Sequence, residues 1–538
     1  MDQILFNGKI ATMDDQKPFV TALAIKKNKI AATGTDEEML ALKNEETELV
    51  DLHRKTVVPG FNDSHMHLLD YARRKEHIDL SGCKSIDELV NTIQAGIGEK
   101  ERNPDDLIIA SDWNDAIFKE KRFPKKEDLD RIDSHNPIVA VRRCVNIAVL
   151  NSRAVDLFSQ ALSYANRINE DNAEVDEQGY FTGLLKGNVA ISEVTPLLRK
   201  DQIRDILKKT FRDCLACGLT SVQTDDCTAA ELEDVLEVYS DMDEKGEIPI
   251  RINAQLRISS TERFRSFLNK GIKTGDGSPF FKIGPLKLVA DGTLGARTAA
   301  MKEPYADAPD TEGVMIYTKE EIDEFVELSM KGEMQIAIHT IGDGAMEMVL
   351  KAYREGMEKR PVKDPRFRII HAQITTEELI QRYKALKVIA DVQPLFISSD
   401  QPIVESRIGK EKAKWTYTWK RFMDEKIPLA ASSDAPVESF HPLKGIYAFV
   451  TRKKLDGTPE NGWMPEQKLS VEEAVYAFTM GSAYASFEEN VKGSISPGKA
   501  ADIAVLSEDI FTIEPEKILD VVVDKTMVDG TFLYTRSV

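Results

Sequence analysis

Short apolar, β-branched runs alternate with longer segments of helical periodicity from about residue 200 onward. Such alternation is typical of repeated strand–helix units around a parallel sheet. The runs are TSVQTDD at 220–226, RINAQL at 251–256, PLKLVAD at 285–291, QIAIHT at 335–340, RIIHAQ at 368–373, VIADVQP at 388–394 and LAASSDA at 429–435. An earlier run, TVVPGFNDSHMH at 56–67, has the same character. These eight predicted strands are the number that closes a (β/α)₈ TIM barrel, a fold of the α/β class.

The segments outside these runs predict two additional parts. The interval 68–200, far longer than an ordinary crossover, contains helix-like stretches and two short strands at 107–113 and 137–143. We expect it to be an inserted subdomain on the active-site face. Residues 1–56 predict hairpins, with one turn near Lys27-Asn28, and residues 491–538 contain three more strands. The predicted organisation is therefore a barrel over 57–486 and a small composite β-sandwich built from 1–56 and 487–538.

Composition excludes several classes of function. Apolar residues make up 42% of the chain, and no run approaches the ~18 uninterrupted apolar residues that a membrane helix needs. The formal net charge is −19, and no basic stripe offsets it. Nucleic acid and anionic membrane surfaces are therefore poor partners, and a small-molecule substrate is expected instead.

The N-terminus and the cysteines predict a cytoplasmic location. Residues 1–6 lack the basic region and the long apolar region of a secretory signal. The chain has five cysteines, an odd number that fits a reducing compartment better than a disulfide framework. Cys214 and Cys217 form a CxxC pair, which could indicate a zinc or redox site. The pair lies at the end of an amphipathic helix pattern with no second pair at finger spacing, which favours buried structural thiols.

Four of the eight histidines lie at the ends of predicted strands. His65 and His67 are separated by one residue, so both side chains point to the same side of the first strand. His339 and His371 end the fifth and sixth strands, and Asp434 closes the eighth. Imidazole nitrogens and a carboxylate oxygen are the ligands that Zn²⁺ prefers. A lone strand histidine is usually a core residue, but this set predicts a metal centre at the barrel mouth.

The ordered motifs resemble the amidohydrolase superfamily, and within it the YtcJ-like branch that includes N-substituted formamide deformylases. The resemblance rests on VVPGFNDSHMH, the lysine of the fourth strand, IAIHTIGD, RIIHAQ and SSDAP, and spans nearly the entire chain. Supporting motifs are DWND at 112–115, AVLNSRAV at 148–155, GYFTGLL at 179–185, KLVADGTLGARTAAM at 287–301, VQP at 392–394 and GSISPGKAADIAVL at 493–506.

The resemblance implies roles for the predicted ligands, with one or two divalent ions per subunit and zinc as the expected metal. His65 and His67 would bind a buried ion, His339 and His371 would bind a second, and Asp434 would contact the buried ion and transfer protons.

Lys287 interrupts an apolar strand, where a buried ammonium is costly. In related binuclear enzymes the lysine of the fourth strand becomes a carbamate that bridges both metals. The alternative for Lys287 is an unmodified lysine paired with Asp291.

Four residues are candidates for substrate binding: Asn146, Arg297, Trp113 and Gln393. The family often has a histidine before the Asn-Ser pair, where this chain has residues 143–146, so the specificity of relatives cannot be transferred. Arg297 lies in the GARTAA loop after the fourth strand. It either holds an anionic or carbonyl group of the substrate or forms a salt bridge on the surface or between loops.

The predicted reaction is hydrolysis of an amide or related C–N bond in an N-acyl or N-formyl small molecule. A metal lowers the pKa of its bound water from 15.7 to roughly 7 and polarises the carbonyl, and Asp434 would shuttle the proton. The same centre could instead serve ester or phosphoester hydrolysis, decarboxylation or isomerisation. A non-catalytic binding protein is the other alternative, although every ligand position is filled. The sequence leaves the number of metals open, and also the assembly, for which a homodimer is one option.

Overall fold

The computed structural model describes residues 1–98, 106–132, 135–143, 147–164, 173–175, 178, 181–186, 191 and 194–537 of the 538-residue chain. The chain forms two compact units. The first consists of Met1–Leu69 and Lys200–Val538, and the second of Asp70–Arg199. Each described helix is too short or too polar to cross a membrane.

Eight parallel strands of the first unit form a nearly closed barrel, as the sequence predicts. They are Phe61–Met66, Leu219–Thr224, Arg251–Arg257, Phe281–Val289, Ile336–Thr340, Arg368–His371, Ile389–Val392 and Leu429–Ala431. Each strand pairs with the next in chain order. The first and eighth strands approach each other at their ends, where the Asp434 N–H donates to the His65 carbonyl at 2.9 Å and the His67 N–H donates to the Ala435 carbonyl at 2.7 Å.

Helices alternate with the barrel strands because the connecting segments carry helix-starting signals. Thr318 and Glu321 form a capping box at the start of the helix that follows the fourth strand. The helices from residue 200 onward are Lys200–Ala216, Leu232–Glu244, Thr261–Leu268, Lys319–Lys331, Asp343–Lys359, Glu377–Leu386, Ile397–Ile408, Lys410–Ala413, Trp419–Asp424, Pro442–Thr451, Val471–Tyr476 and Ser482–Ala485. Short 3₁₀ turns lie at Pro394–Phe396, Pro465–Gln467 and Pro515–Asp520, and a π-helical turn at Ala477–Gly481.

Two sheets from the ends of the chain pack against each other. One contains Lys29–Gly34, Ala22–Lys26, Gln3–Phe6 and Glu48–Asp51, in that order. The other contains Thr531–Thr535, Val523–Val528, Ile503–Leu506, Thr56–Pro59, Lys9–Ala11 and Phe19–Val20. Leu5, Leu23, Ile503 and Met527 share one core between the sheets. The short helix Asp36–Leu40 packs on the other face of the first sheet, where Met39 contacts a separate cluster that contains Ile4 and Ala24. This is the composite sandwich that the sequence predicts.

Two predicted strands have different limits in the structure. The run at 56–67 divides into Thr56–Pro59, which belongs to the terminal sheet, and Phe61–Met66, which enters the barrel. Gly60 lies between them, where a Cβ would come within 2.2 Å of the Thr220 hydroxyl oxygen. One of the three strands predicted within residues 491–538 is the run ILDVVVD at 518–524. Its first three residues belong instead to a 3₁₀ turn that begins at a proline, a residue favoured at that position.

The described residues of the second unit form a six-stranded sheet, of which the sequence predicted only two strands. In sheet order they are Ala173–Val175, Phe181–Lys186, Ile147–Leu150, Ile138–Arg142, Ile108–Trp113 and Ile78–Asp79. Its helical segments are Ile86–Gly98, Asp115–Ile117, Lys126–Leu129 and Ser152–Tyr164, and Leu68–Lys75 spans the limit between the units. The domain limits given by the sequence stay a prediction.

Candidate metal centre

Three predicted ligands meet at the junction of the first and eighth barrel strands. The Nε2 atoms of His65 and His67 lie 3.2 Å and 3.3 Å from the same carboxylate oxygen, Oδ1 of Asp434. One ligand atom from each of these residues lies within 4.8 Å of the other two. The backbone hydrogen bonds that join the two strand ends hold the three residues together.

The hydrogen bonds of the two rings show which nitrogens remain available. Nδ1 of His65 lies 2.8 Å from Oε1 of Gln255, and Nδ1 of His67 lies 2.7 Å from the Asp225 carbonyl oxygen. Carbonyl oxygens only accept, so each Nδ1 carries the proton. In the neutral rings both Nε2 lone pairs then face an acceptor oxygen of Asp434. A bound cation would suit this meeting of two lone pairs and a carboxylate oxygen, and imidazole nitrogen and carboxylate oxygen are ligands that Zn²⁺ prefers.

His339 and His371 form a second pair beside the first. Their ring centroids are 4.3 Å apart, and the His371 ring lies 6.3 Å from that of His65. Nδ1 of His371 lies 2.8 Å from Oε1 of Gln393. His339 is oriented the other way, because its Nε2 lies 3.1 Å from the Gly292 carbonyl oxygen. The nitrogens that remain for a ligand are therefore Nε2 of His371 and Nδ1 of His339.

Lys287 is buried beside His65. Its Nζ lies 3.4 Å from Nε2 of His65, and only 1% of the residue is exposed. Burial lowers the pKa of Lys287 to about 8. Asp291, the partner considered for an unmodified lysine, instead accepts from the backbone N–H groups of Ala300, Ile341 and Gly342. In the described part of the chain no carboxylate lies within ion-pair distance of the Lys287 ammonium.

Most of the candidate ligands have the protonation state that binding a cation requires, which is a neutral imidazole or an ionised carboxylate. Burial, with Lys287 nearby, lowers the pKa of His65 to about 4, and burial also lowers that of His371 to about 4. Burial opposes ionisation of Asp434, but its close contacts with the His65 and His67 rings hold its pKa well below the usual range. His67 differs, because Asp434 and Asp225 outweigh its burial and raise its pKa. A proton on His67 thus competes with a cation.

The backbone is unusual at two of these residues. His371 has φ +76° and Asp434 has φ +57°, both in the left-handed region. Only a few per cent of non-glycine residues adopt this conformation, and aspartate and histidine are among the types enriched in it. Such conformations cluster at functional sites, where the surrounding structure maintains them.

Three of the four residues expected to bind substrate contact other protein groups in the structure. Gln393 is 2% exposed and binds His371. Trp113 is fully buried in the core of the second unit, where its indole N–H donates to the Ala140 carbonyl at 3.0 Å. Neither placement supports substrate contact. Arg297 forms a two-point ion pair with Asp307 at 3.0 Å and 2.9 Å, within the loop that follows the fourth strand, and a salt bridge is the alternative that the sequence left open. Asn146 lies outside the described residues.

Sequence reasoning missed the partners of the ligand histidines. Gln255 lies in the third strand and binds His65, and the carboxylate of Asp225 accepts from Nε and Nη2 of Arg257 at 2.9 Å and 2.6 Å. The available signal was polarity, since a glutamine and an arginine interrupt the apolar third strand. Their partners could not be identified without the register between strands.

The chain is similar to known proteins over nearly its whole length. A family model described as "Amidohydrolase family" matches residues 48–534. The YtcJ amidohydrolase of Bacillus subtilis (strain 168) is 31% identical over 547 residues, covering 100% of both chains. The N-substituted formamide deformylase of Arthrobacter pascens is 24% identical, covering 100% of this chain and 99% of that protein. An uncharacterized metal-dependent hydrolase from Pyrococcus furiosus has a TM-score of 0.78 at 29% identity, covering 95% of this chain and 100% of that one. This chain belongs to the amidohydrolase family.

Proposed function

We propose that this protein is a metal-dependent hydrolase that cleaves an amide or related C–N bond in a small molecule of the N-acyl or N-formyl type. The observation that carries the proposal is the convergence of His65 and His67, through Nε2, on one oxygen of Asp434. The similarity to an N-substituted formamide deformylase supports the type of bond. Zinc is the proposed ion because imidazole and carboxylate ligands suit it.

The described residues divide into ligands for two ions. His65, His67 and Asp434 would hold the first ion, and His339 and His371 would hold the second. Lys287 would join the two sites as a carbamate. In that step the neutral amine nitrogen forms a bond with the carbon of CO₂ and releases one proton, which leaves an anionic carboxylate on the side chain. The lowered pKa of Lys287, about 8, supplies neutral amine near physiological pH.

Asp434 is the proposed proton carrier. A divalent ion bound here would lower the pKa of a coordinated water to roughly 7 and polarise the substrate carbonyl. Asp434 is ionised in the metal-free protein, and its carboxylate would accept the proton of the attacking water. The water oxygen bonds to the carbonyl carbon, the C–N bond breaks, and Asp434 returns the proton to the leaving nitrogen. A positioned acid–base group of this kind contributes typically about 10²–10⁴ in rate.

A cytoplasmic location belongs to the same proposal. Cys83, Cys214, Cys217 and Cys227, the cysteines in the described part of the chain, are free thiols. A reducing compartment keeps cysteines in this state. Cell fractionation would test the location, and sedimentation of the purified protein would decide between a monomer and a homodimer.

Metal analysis combined with a hydrolysis screen tests the function. The purified protein should contain zinc and release amine from N-formyl or N-acyl amines faster than it cleaves matched esters or phosphoesters. Replacing His65 and His67 together by alanine should remove metal and activity without unfolding the protein. The control is His53→Ala, since the His53 side chain is 76% exposed. Full metal content in the double variant, or a clear preference for the ester series, would overturn the proposal.

A further inference from the structure

A chain of hydrogen bonds runs through the barrel core from a buried ion pair to His371. Arg368 and Asp391 are fully buried, and Nη2 of Arg368 contacts Oδ2 of Asp391. The Ser432 hydroxyl lies 3.0 Å from Oδ1 of Asp391, and Nε2 of Gln393 lies 2.7 Å from that hydroxyl. Oε1 of Gln393 then meets Nδ1 of His371 at 2.8 Å. We call these five residues the core chain.

The chemistry of its members gives the core chain one direction. Arginine only donates hydrogen bonds, and an ionised carboxylate only accepts them. The Ser432 hydroxyl must therefore donate its single proton to Asp391, and its oxygen accepts from the amide nitrogen of Gln393. The amide oxygen is then left to face His371. Because that oxygen only accepts, the proton of His371 must lie on Nδ1.

His65 is held in the same way by a second glutamine. Nε2 of Gln255 donates to the Ser64 carbonyl oxygen at 2.9 Å, and Oε1 of Gln255 lies 2.8 Å from Nδ1 of His65. A carbonyl oxygen accepts only, so this glutamine cannot reverse without losing its bond to Ser64. The same carbonyl also accepts from Nη2 of Arg368 at 2.7 Å. One buried arginine therefore supports the groups beneath both rings.

We infer that Gln255 and Gln393 are positioning residues that hold His65 and His371 with the proton on Nδ1 and the Nε2 lone pair directed at the proposed metal site, where that of His65 faces Asp434 and Lys287. The Arg368–Asp391 pair sets the direction of the core chain. A reversed amide would present its NH₂ group to Nδ1, which moves the ring proton to Nε2 and blocks that ligand atom. Gln255 and Gln393 are 1% and 2% exposed, so bulk solvent has little access to replace either contact.

The consequence for metal binding rests on the proposed function, whereas the position of the ring protons is a property of the metal-free protein. Partners that orient metal-bound histidines typically contribute 10–100-fold in metal affinity. We therefore expect Gln393→Met, which keeps the length of the side chain but not its carbonyl acceptor, to weaken zinc binding by about that factor. Gln393→Glu retains an oxygen acceptor and should bind zinc within a few-fold of the unchanged protein.

A matched control separates positioning from the loss of any buried amide. Gln335 is 4% exposed, and its Nε2 donates to the carbonyl oxygens of Arg366 and Ala485 at 2.8 Å and 2.9 Å. Gln335→Met should lower the free energy of unfolding and leave the zinc dissociation constant unchanged. If zinc affinity falls equally in Gln335→Met and Gln393→Met, or falls in neither, the positioning role is wrong.

The ring protons can be observed directly in the full-length protein without metal. Histidine labelled with ¹⁵N in the ring gives distinct signals for protonated and unprotonated nitrogens, and the eight histidines can be assigned by single replacements. We expect His65 and His371 to carry the proton on Nδ1 at neutral pH, and an Nε2–H form at either residue would overturn the inference.

Ser432→Ala is the second variant for use if Gln393→Met does not fold. It removes the shorter of two hydrogen bonds that orient the Gln393 amide nitrogen, the other being a 3.4 Å bond to the Asp391 carbonyl oxygen. It should give His371 a mixture of both forms, so an unchanged Nδ1–H signal would contradict the directed chain. If the unchanged protein binds no zinc at all, the proposed function fails, and the NMR signals still decide the positioning role.

Discussion

Replacing Asp434 by asparagine removes the proposed proton carrier while disturbing the site little. Asparagine has the same shape and, like aspartate, adopts the left-handed backbone conformation that residue 434 has at φ +57°. Its amide cannot take a proton from water at neutral pH. Loss of general acid–base help typically costs about 10²–10⁴ in rate, which corresponds to about 2.7–5.5 kcal/mol of transition-state stabilisation.

The assay measures kcat, KM and metal content for Asp434→Asn on an N-formyl or N-acyl amine. Proton transfer matters chiefly in the transition state, so kcat and kcat/KM should fall together and KM should change little. An analogue with a better leaving group needs less proton donation and should lose less rate. Metal content should fall less than in the His65→Ala/His67→Ala variant, because the asparagine side chain keeps one carbonyl oxygen.

A structural control is Asp502→Asn, since Asp502 is a buried carboxylate 2.7 Å from Nε of Arg251. It should affect stability without the selective effect on the amide. Near-normal kcat on the amide in a fully metal-loaded Asp434→Asn enzyme would refute the shuttle, and His339 or His371 would be the next candidates for the proton carrier.

Three other substitutions test different parts of the molecule. Lys287→Ala should lose metal, and a small added carboxylic acid that replaces the carbamate should restore part of its activity. An unmodified Lys287 in the mass spectrum of active, metal-loaded enzyme would contradict the proposed carbamate. Burial opposes ionisation of Glu488, but Lys492 and Lys282 hold the pKa of its carboxyl at about 2. The ionised carboxylate therefore stabilises the fold at pH values above its ordinary pKa of 4.5, and this stabilisation is lost as the pH falls from 4.5 towards 2. Denaturant unfolding should show about 2 kcal/mol of this contribution lost between pH 5.5 and pH 3, a loss that Glu488→Gln should not show. Burial raises the pKa of Cys217 to about 12, so Cys217 should react slowly with thiol reagents at pH 8 and Cys217→Ser should retain its metal, whereas rapid labelling or metal loss would favour a functional thiol.

The barrel could be predicted because its strands are buried on both faces and therefore form continuous apolar runs. The fifth strand, Ile336–Thr340, is an example, and the structure has it within one residue of the predicted start. The strand limits that were predicted wrongly depend on contacts with distant parts of the chain, which a local sequence pattern does not show. Nothing within residues 56–67 shows that Thr56–Pro59 pairs with Ile503–Leu506, more than 400 positions away. The short strands of the second unit, such as Ile78–Asp79, also have too few residues to show a period.

The sequence was sufficient to predict that the ligand residues lie together at the ends of the barrel strands. His65 and His67 alternate along one strand, and parallel strands bring their carboxyl ends to one side of a barrel, so the meeting with Asp434 follows from topology. The hydrogen-bond partners of the rings do not follow, because Gln255 reaches His65 from two strands away and Gln393 reaches His371 from the end of the neighbouring strand. Trp113 shows a further limit, since a motif shared with a family indicates that a residue matters without indicating whether it contacts substrate or, as the side chain of Trp113 does here, a core.

The polar residues beneath the histidines explain why this part of the barrel is not filled with aliphatic side chains. Burying the Arg368–Asp391 pair costs desolvation energy that well-packed hydrophobic residues would avoid. An aliphatic core would leave Nδ1 of His65 and His371 without an acceptor, and the proton could then lie on either ring nitrogen. A cation needs the lone pair of a particular nitrogen, so each ring with its proton on Nε2 would be lost as a ligand. The buried ion pair thus lowers the stability of the barrel somewhat, but it fixes which nitrogen of each ligand histidine carries the proton. Replacing Arg368 and Asp391 together by aliphatic residues should therefore yield a barrel that folds but binds zinc more weakly.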